Sequence, residues 1–262
     1  MSVATLLRRL GYALGLPVIL IAMWWFLNAG STNFFWPPLS RILDSFGETW
    51  FGPRLFDDVL PSLARLILGY AIAFVIAILL GIAIGSSRVL RATVEPALEF
   101  FRAIPPPILV PIFILLVGIG DTMKLLVIVV GCIWPILLNT IEGVRSVDEV
   151  QRDTAACYRL RPLTRLARVI IPGASPQIAA GARQALSVAI ILMVISELFA
   201  ATNGLGFAIL QFQQRFQIAP MWSGIILLGL IGVALSLIFR FAESRALSWY
   251  LGLRQSQRGE NP

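Results

Sequence analysis

The chain has 262 residues, of which 58% are hydrophobic and 13% charged, with a mean hydropathy of +0.84 and a formal net charge of +7. Soluble domains average about half apolar and a quarter charged residues, so this composition excludes a soluble protein and predicts one domain with several membrane spans. Histidine is absent, and the two cysteines support neither a disulfide framework nor a metal site, so we expect no catalytic residue, no metal and no enzyme.

Six apolar segments are long enough to be membrane helices, since a helix needs about 20 apolar residues to cross the hydrocarbon core. They lie at about 12–28, 59–85, 94–118, 124–144, 178–201 and 221–241. Arg8 and Arg9 make the first segment resemble a signal peptide, but "NAGSTNFFWPP" is a poor cleavage site. We therefore predict an all-α membrane protein of about six spans, with the first one retained.

The arginines predict the orientation, because short cytoplasmic loops carry an excess of positive charge. If the N-terminus is cytoplasmic, fourteen arginines lie on that side, and only Arg41, Arg54, Lys124 and Arg215 lie on the other. Both termini are then cytoplasmic, and a nucleic-acid role for the positive charge is not expected. We expect "FFWPP" and Met221-Trp222 at the outer interface.

A basic segment, "DTAACYRLRPLTRLARVIIPGASPQ", follows the fourth span. Asp148 is placed to cap a first short helix, and Pro162 suits the start of a second one that ends before Pro172. Leu163, Leu166, Val169 and Ile170 recur at helical spacing in the second piece, with arginines around them. An amphipathic helix that lies on anionic lipid is one interpretation of this pattern.

The segment also resembles the EAA loop of binding-protein-dependent ABC importer permeases. In that motif Glu-Ala-Ala is followed after three residues by Gly, and after nine more by Ile-x-Leu-Pro. Here Asp153-Thr154-Ala155 stands at the triplet, Arg159 at the glycine, Val169 at the isoleucine and Ile171-Pro172 at the end. "RAIPPPILVPIFILLVGIG", "PILLNTIEGVRSVD" and "ISELFAATNGLGFAI" resemble the nitrate, taurine and aliphatic-sulfonate subfamily.

The resemblance implies a type I importer fold and a permease subunit in the bacterial inner membrane. Its partners would be a second permease copy, a cytoplasmic ABC ATPase dimer that binds ATP and Mg, and an extracytoplasmic solute-binding protein that delivers a small anion. The chain itself lacks a phosphate-binding loop, so we expect no cofactor in it. The resemblance places ATPase coupling on Asp153, Thr154, Ala155, Ala156, Tyr158, Arg159, Leu160, Arg161, Leu163 and Pro172.

The predicted organisation has three parts. Residues 1–58 hold a cytoplasmic tail, the first span and an extracytoplasmic loop; residues 59–251 form the permease core, with the EAA loop at about 148–175; and residues 252–262 form a cytoplasmic tail.

Prolines interrupt the third span and indicate where the solute passes. Helix-interior proline costs about 3 kcal/mol, and freed backbone in a bilayer is tolerated only against protein or water. A structural kink is the alternative. Candidate pathway residues are Pro105, Pro106, Pro107, Pro111, Ser187, Met193, Ser196 and Glu197. For Glu197 we favour a structural hydrogen bond over a gate.

Two other functions remain as alternatives. A secondary transporter needs several coupling-ion carboxylates at mid-membrane, and only Glu197 qualifies. A channel or scaffold has no ATPase partner, so co-purification of an ATPase separates it from a permease. The sequence leaves the solute and the homo- or heterodimeric state open.

Overall fold

The computed structural model describes residues 3–250 and 252, and their side chains from residue 15 onward apart from residue 200. In this part of the chain the secondary structure is helical throughout. The α-helices are α1 Val3–Asn28, α2 Leu39–Trp50, α3 Leu60–Ser86, α4 Arg88–Arg102, α5 Leu109–Val117, α6 Asp121–Arg145, α7 Glu149–Cys157, α8 Pro162–Arg165, α9 Ile171–Ala200, α10 Leu205–Gln214 and α11 Ile218–Ala246.

Hydropathy predicted the long spans within a few residues, except for the early start of the fifth. Four helical segments are long and apolar enough to cross a bilayer: Leu55–Ser86, Asp121–Arg145, Pro162–Phe199 and Ile218–Ala246. The pair formed by Arg88–Arg102 and Pro106–Val117 makes a fifth candidate, bent by 74°. In α1 the described apolar stretch, Gly15–Asn28, is shorter. The all-α membrane fold is therefore confirmed.

Three helices form the centre of this fold, with α6 packed along both α3 and α9. Ile128, Cys132 and Ile136 of α6 are fully buried between these neighbours. Gly81 lets α3 approach α6 closely, because a methyl group there would lie 2.5 Å from Cβ of Thr140. Close approach through small residues is how membrane helices gain van der Waals contact.

The outer helices turn apolar side chains away from this centre. The most apolar part of α11 has no buried residue, and the described half of α1 is exposed as well. Such surfaces suit lipid or a second membrane subunit, because neither requires a polar covering.

The aromatic residues expected at one interface do come together. Trp24 of α1 lies 5.2 Å from Trp222 of α11 and 6.3 Å from Trp36, measured between ring centroids. Trp222 Nε1 also donates a hydrogen bond of 3.2 Å to the Phe35 carbonyl. This cluster fixes the end of α1 and the start of α2 against α11, and its amphipathic rings suit a membrane–water boundary.

The predicted end of the second loop helix before Pro172 is wrong. α8 passes into a π-helical segment, Leu166–Ile170, which continues directly into α9. A π turn holds one residue more than an α turn, so Pro172, which lacks an N–H, falls where the hydrogen-bond ladder is already interrupted. The loop is thus continuous with a span, without a break in the helix at the proline.

Candidate functional site

The coupling segment, residues 148–172, begins with the capped helix that the sequence predicted. The Asp148 side chain accepts a hydrogen bond of 2.9 Å from the Val150 N–H at the start of α7. The Arg152 guanidinium reaches back to the Val144 carbonyl at the end of α6. α7 is therefore tied to the span before it.

Arg159, which stands at the glycine position of the predicted motif, adopts a left-handed backbone conformation. Its φ is +48°, and the Leu160 N–H donates to the Ala155 carbonyl at 3.1 Å across the turn. Glycine usually occupies this position in a helix-ending turn, because a residue without a Cβ adopts the left-handed conformation at no steric cost. The tight turn persists here although an arginine occupies it.

We expect Arg159→Gly to stabilise the permease by about 1 kcal/mol, because glycine removes the steric cost of a positive φ. Arg161→Gly is the matched control, since Arg161 has φ −56° and glycine relieves nothing there. The thermal midpoint of the purified protein in detergent reports both changes. A fall in midpoint for Arg159→Gly as large as that for Arg161→Gly contradicts the strain at residue 159.

The exposed surface of the segment is part apolar and part charged. Tyr158 is 78% exposed and Leu163 79% exposed, although both are large hydrophobic residues. Eight of the ten residues predicted for coupling are exposed: Asp153, Thr154, Ala156, Tyr158, Arg159, Leu160, Arg161 and Leu163. Pro172 is half-buried, and Ala155 is only 4% exposed. Ala155 therefore lies on the inner face of α7.

A groove of about 880 Å³ runs beside α7. Its walls come from α7, from the π segment and from residues after α11, and they are mostly apolar: Val147, Ala155, Leu160, Val169, Pro172 and Trp249. An apolar surface with arginines around it is the pattern of a protein contact.

The prolines break the third span as predicted. Pro105 is extended (φ −62°, ψ 121°), Pro106–Ile108 forms a single 3₁₀ turn, and α4 and α5 meet at 74°. Pro111 lies in the first turn of α5, where a missing N–H leaves no bond unmade. Cβ of Pro106 lies 3.2 Å from where a Cβ on Gly131 would be, so the break packs against α6.

The candidate pathway residues separate into an exposed and a buried group. Ser187 of α9 is exposed, and so are Pro105 and Pro111 at the proline break. Met193 and Ser196 are buried within the chain, and the Ser196 hydroxyl donates to the Met193 carbonyl at 2.9 Å. The second group faces no open space in this structure, because helix packing covers it.

Glu197 is fully buried and has three partners. Its Oε1 lies 2.8 Å from Arg65 Nη1 and 2.6 Å from the Ser62 hydroxyl, and its Oε2 accepts from the Gly206 N–H at 2.9 Å. These contacts join α9 to α3 and to the first turn of α10. They match the structural interpretation of Glu197, because every bond holds parts of the fold together.

A wider polar network surrounds this pair at the same end of the bundle. Asp58 accepts from the Gly204 N–H at 3.0 Å and pairs with Arg54 at 3.0 Å. Arg65 Nη2 donates to Asn203 Oδ1 at 2.7 Å and lies 2.9 Å from Asp121. The network therefore holds the Asn203–Gly206 turn, in which Gly204 has φ +128°.

Sequence reasoning named Glu197 but missed Asp58, Arg65 and Lys124 as buried partners. Sequence reasoning counted Lys124 among the charges of the outer side, and nothing in the sequence joined it to Asp58 or Arg65. Arg102, just before the prolines, pairs with Glu99 at 2.7 Å on the surface of α4.

The sequence of this chain is similar to those of known membrane transport proteins. The profile of the family described as "Binding-protein-dependent transport system inner membrane component" matches residues 73–248. The SsuC permease protein of Bacillus subtilis, named for aliphatic sulfonates transport, is 29% identical over 92% of this chain and 89% of its own length. The taurine transport system permease protein TauC of Escherichia coli is 30% identical over 93% and 91%.

A solved structure shares the fold. An inward-facing conformation of the MetNI methionine ABC transporter superposes with a TM-score of 0.62 at 21% identity, covering 73% of this chain and 93% of that one. The family profile covers most of the present chain, including the coupling segment and α9 with Glu197. This chain therefore belongs to the family of binding-protein-dependent transport system inner membrane components and is a permease subunit of an ABC importer.

Proposed function

We propose that this permease carries a small sulfonate, such as taurine or an alkanesulfonate, across the bacterial inner membrane. Permeases of this family work with an ATPase and a binding protein and are not enzymes themselves. Two relatives matched along nearly the whole chain are named for sulfonate substrates, which supports this solute class.

The coupling segment supports ATP-driven transport. Its exposed apolar residues Tyr158 and Leu163 stand on a rigid turn that is continuous with α9. We propose that an ATPase bound there moves α9, because the helix is continuous from the coupling segment to the polar network at its far end. This continuity between the coupling segment and α9 is the observation that carries the proposal of ATP-driven transport.

The assembly that we propose contains two copies of this chain, two ATPase subunits that bind ATP and Mg, and one extracytoplasmic binding protein. Both termini are cytoplasmic, as the arginine distribution predicts. The exposed residues at the proline break and Ser187 line the pathway between the two copies. We propose no cofactor or metal for the chain itself.

Uptake into proteoliposomes tests the function. We expect the permease, reconstituted with its ATPase and binding protein, to accumulate radiolabelled taurine or methanesulfonate only when ATP is present on the ATPase side. Omitting the ATPase should abolish accumulation. Uptake that continues without the ATPase identifies a secondary transporter or channel, and ATP-driven uptake of a different solute corrects the substrate class alone.

A further inference from the structure

Two buried cations converge on one exposed carboxylate at the end of the bundle opposite the coupling segment. Arg65 Nη2 lies 2.9 Å and Lys124 Nζ lies 3.3 Å from the same atom, Oδ1 of Asp121. Arg65 is 6% exposed and Lys124 2% exposed, whereas the Asp121 side chain is 70% exposed. Both positive groups thus form the floor of a position whose occupant faces outward.

The charges at this position do not balance without Asp121. Arg65 is neutralised by Glu197 at 2.8 Å, and Asp58 is neutralised by Arg54. Among the residues that the structure describes, Asp121 alone accepts a hydrogen bond from Lys124. An ammonium group has three donors, so two of them stay available, and removal of Asp121 leaves one uncompensated positive charge.

We propose that Arg65 and Lys124 form a binding site for the anionic head group of the transported solute, a monovalent oxyanion such as a sulfonate. Asp121 is the built-in occupant, which an incoming anion displaces. This inference rests on the proposed function for its solute class. It extends the proposed function by a solute-binding site with two cationic residues, Arg65 and Lys124, and with Asp121 as the group that competes with the solute.

The geometry favours an oxyanion over other ligands. A guanidinium and an ammonium that share one carboxylate oxygen offer directed, charge-assisted donors, and these bind oxygens of sulfonate and carboxylate groups alike. Asp121 is exposed and stands at the first position of α6, so its side chain can rotate into solvent and leave the two cations to another anion.

The location suits a solute delivered from outside. α9 leads from the π segment at the coupling end to Glu197, which is bound to Arg65. The anion site therefore shares Arg65 with the pair that joins α3 to α9. The Arg65 guanidinium therefore contacts both the anion position and Glu197 of α9, so a movement of α9 changes the donors that the anion meets.

Calorimetric titration of the purified permease in nanodiscs with sodium methanesulfonate tests the site. Dimethyl sulfone, which has nearly the same shape and no charge, is the ligand control. We expect Asp121→Asn to tighten methanesulfonate binding about fivefold, because the competing carboxylate is gone. Lys124→Gln should weaken binding at least about tenfold, and Lys124→Arg should retain it. Arg215→Gln, which removes an exposed charge from the α10–α11 loop, should have no effect.

The results separate a binding site from an internal lock. A lock predicts that Asp121→Asn lowers the thermal midpoint and leaves methanesulfonate binding unchanged or undetectable, which overturns the proposal. Lys124 is buried, so Lys124→Gln can misfold; Asp121→Asn then decides alone. Equal responses to dimethyl sulfone, or an equal loss in Arg215→Gln, also overturn it. ATP-driven taurine uptake without methanesulfonate binding removes this site only, whereas binding without uptake of any sulfonate removes the proposed function.

Discussion

Glu197→Ala is expected to lower the thermal midpoint of the purified permease by roughly 10 °C, which corresponds to a loss of about 3–5 kcal/mol. The carboxylate is fully buried and paired with Arg65 at 2.8 Å. Its removal leaves a buried guanidinium with less compensation and leaves the Gly206 N–H without its acceptor. Loss of one partner from a buried pair costs far more than the pair contributes by itself.

Two further variants show what the loss consists of. Glu197→Gln keeps an oxygen for the Gly206 N–H and removes only the charge, so we expect a smaller fall than for alanine. Glu142→Gln is the matched control, because its pair with Arg145 is exposed and worth less than about 1 kcal/mol. The fluorescence-monitored thermal midpoint in detergent measures all three.

Transport by the folded fraction distinguishes the two roles that were considered for Glu197. A structural role predicts a low yield of folded protein, with uptake per folded molecule close to normal. A gate in the pathway predicts the opposite result, with a normal midpoint and altered uptake. An unchanged midpoint for Glu197→Ala contradicts the structural role directly.

Much of the fold was predictable because a bilayer imposes strong rules on a sequence. Hydropathy located α3, α6 and α11 within a few residues, since a spanning segment has to satisfy all its backbone groups within one helix. The prolines at 105–107 predicted the broken span for the same reason. Asp148 predicted the start of α7, because capping depends on residues that are neighbours in sequence.

The polar network was not predictable, because its partners lie far apart in the chain. Glu197 bonds to Arg65 and Ser62, which precede it by 132 and 135 residues. Sequence shows that a charged residue lies near a span end, but burial and partner choice depend on how α3, α6 and α9 pack. Continuation of the helix through Pro172 was missed for a different reason, since a π turn has no sequence signature comparable to a cap.

Leu163→Glu is expected to release the ATPase and to reduce ATP-driven uptake at least about a hundredfold, while the permease stays folded. Leu163 is 79% exposed, so a carboxylate there is harmless to the isolated chain. In a docked complex the same carboxylate is desolvated without a partner, which costs about 3 kcal/mol or more. Co-purification of a tagged ATPase and uptake in proteoliposomes measure the two effects.

The choice of Leu163 follows from the packing of α7. Ala155 belongs to the motif, but it is 4% exposed, so Ala155→Asp places its charge inside the permease and confuses misfolding with uncoupling. Val89→Glu is the control, because Val89 is 78% exposed at the start of α4 and lies at the same end of the bundle, outside the coupling segment. If the basic segment only rests on anionic lipid, Leu163→Glu weakens that contact and leaves the ATPase bound. Retained ATPase and normal uptake in Leu163→Glu, with Val89→Glu behaving identically, therefore exclude this surface as the dock.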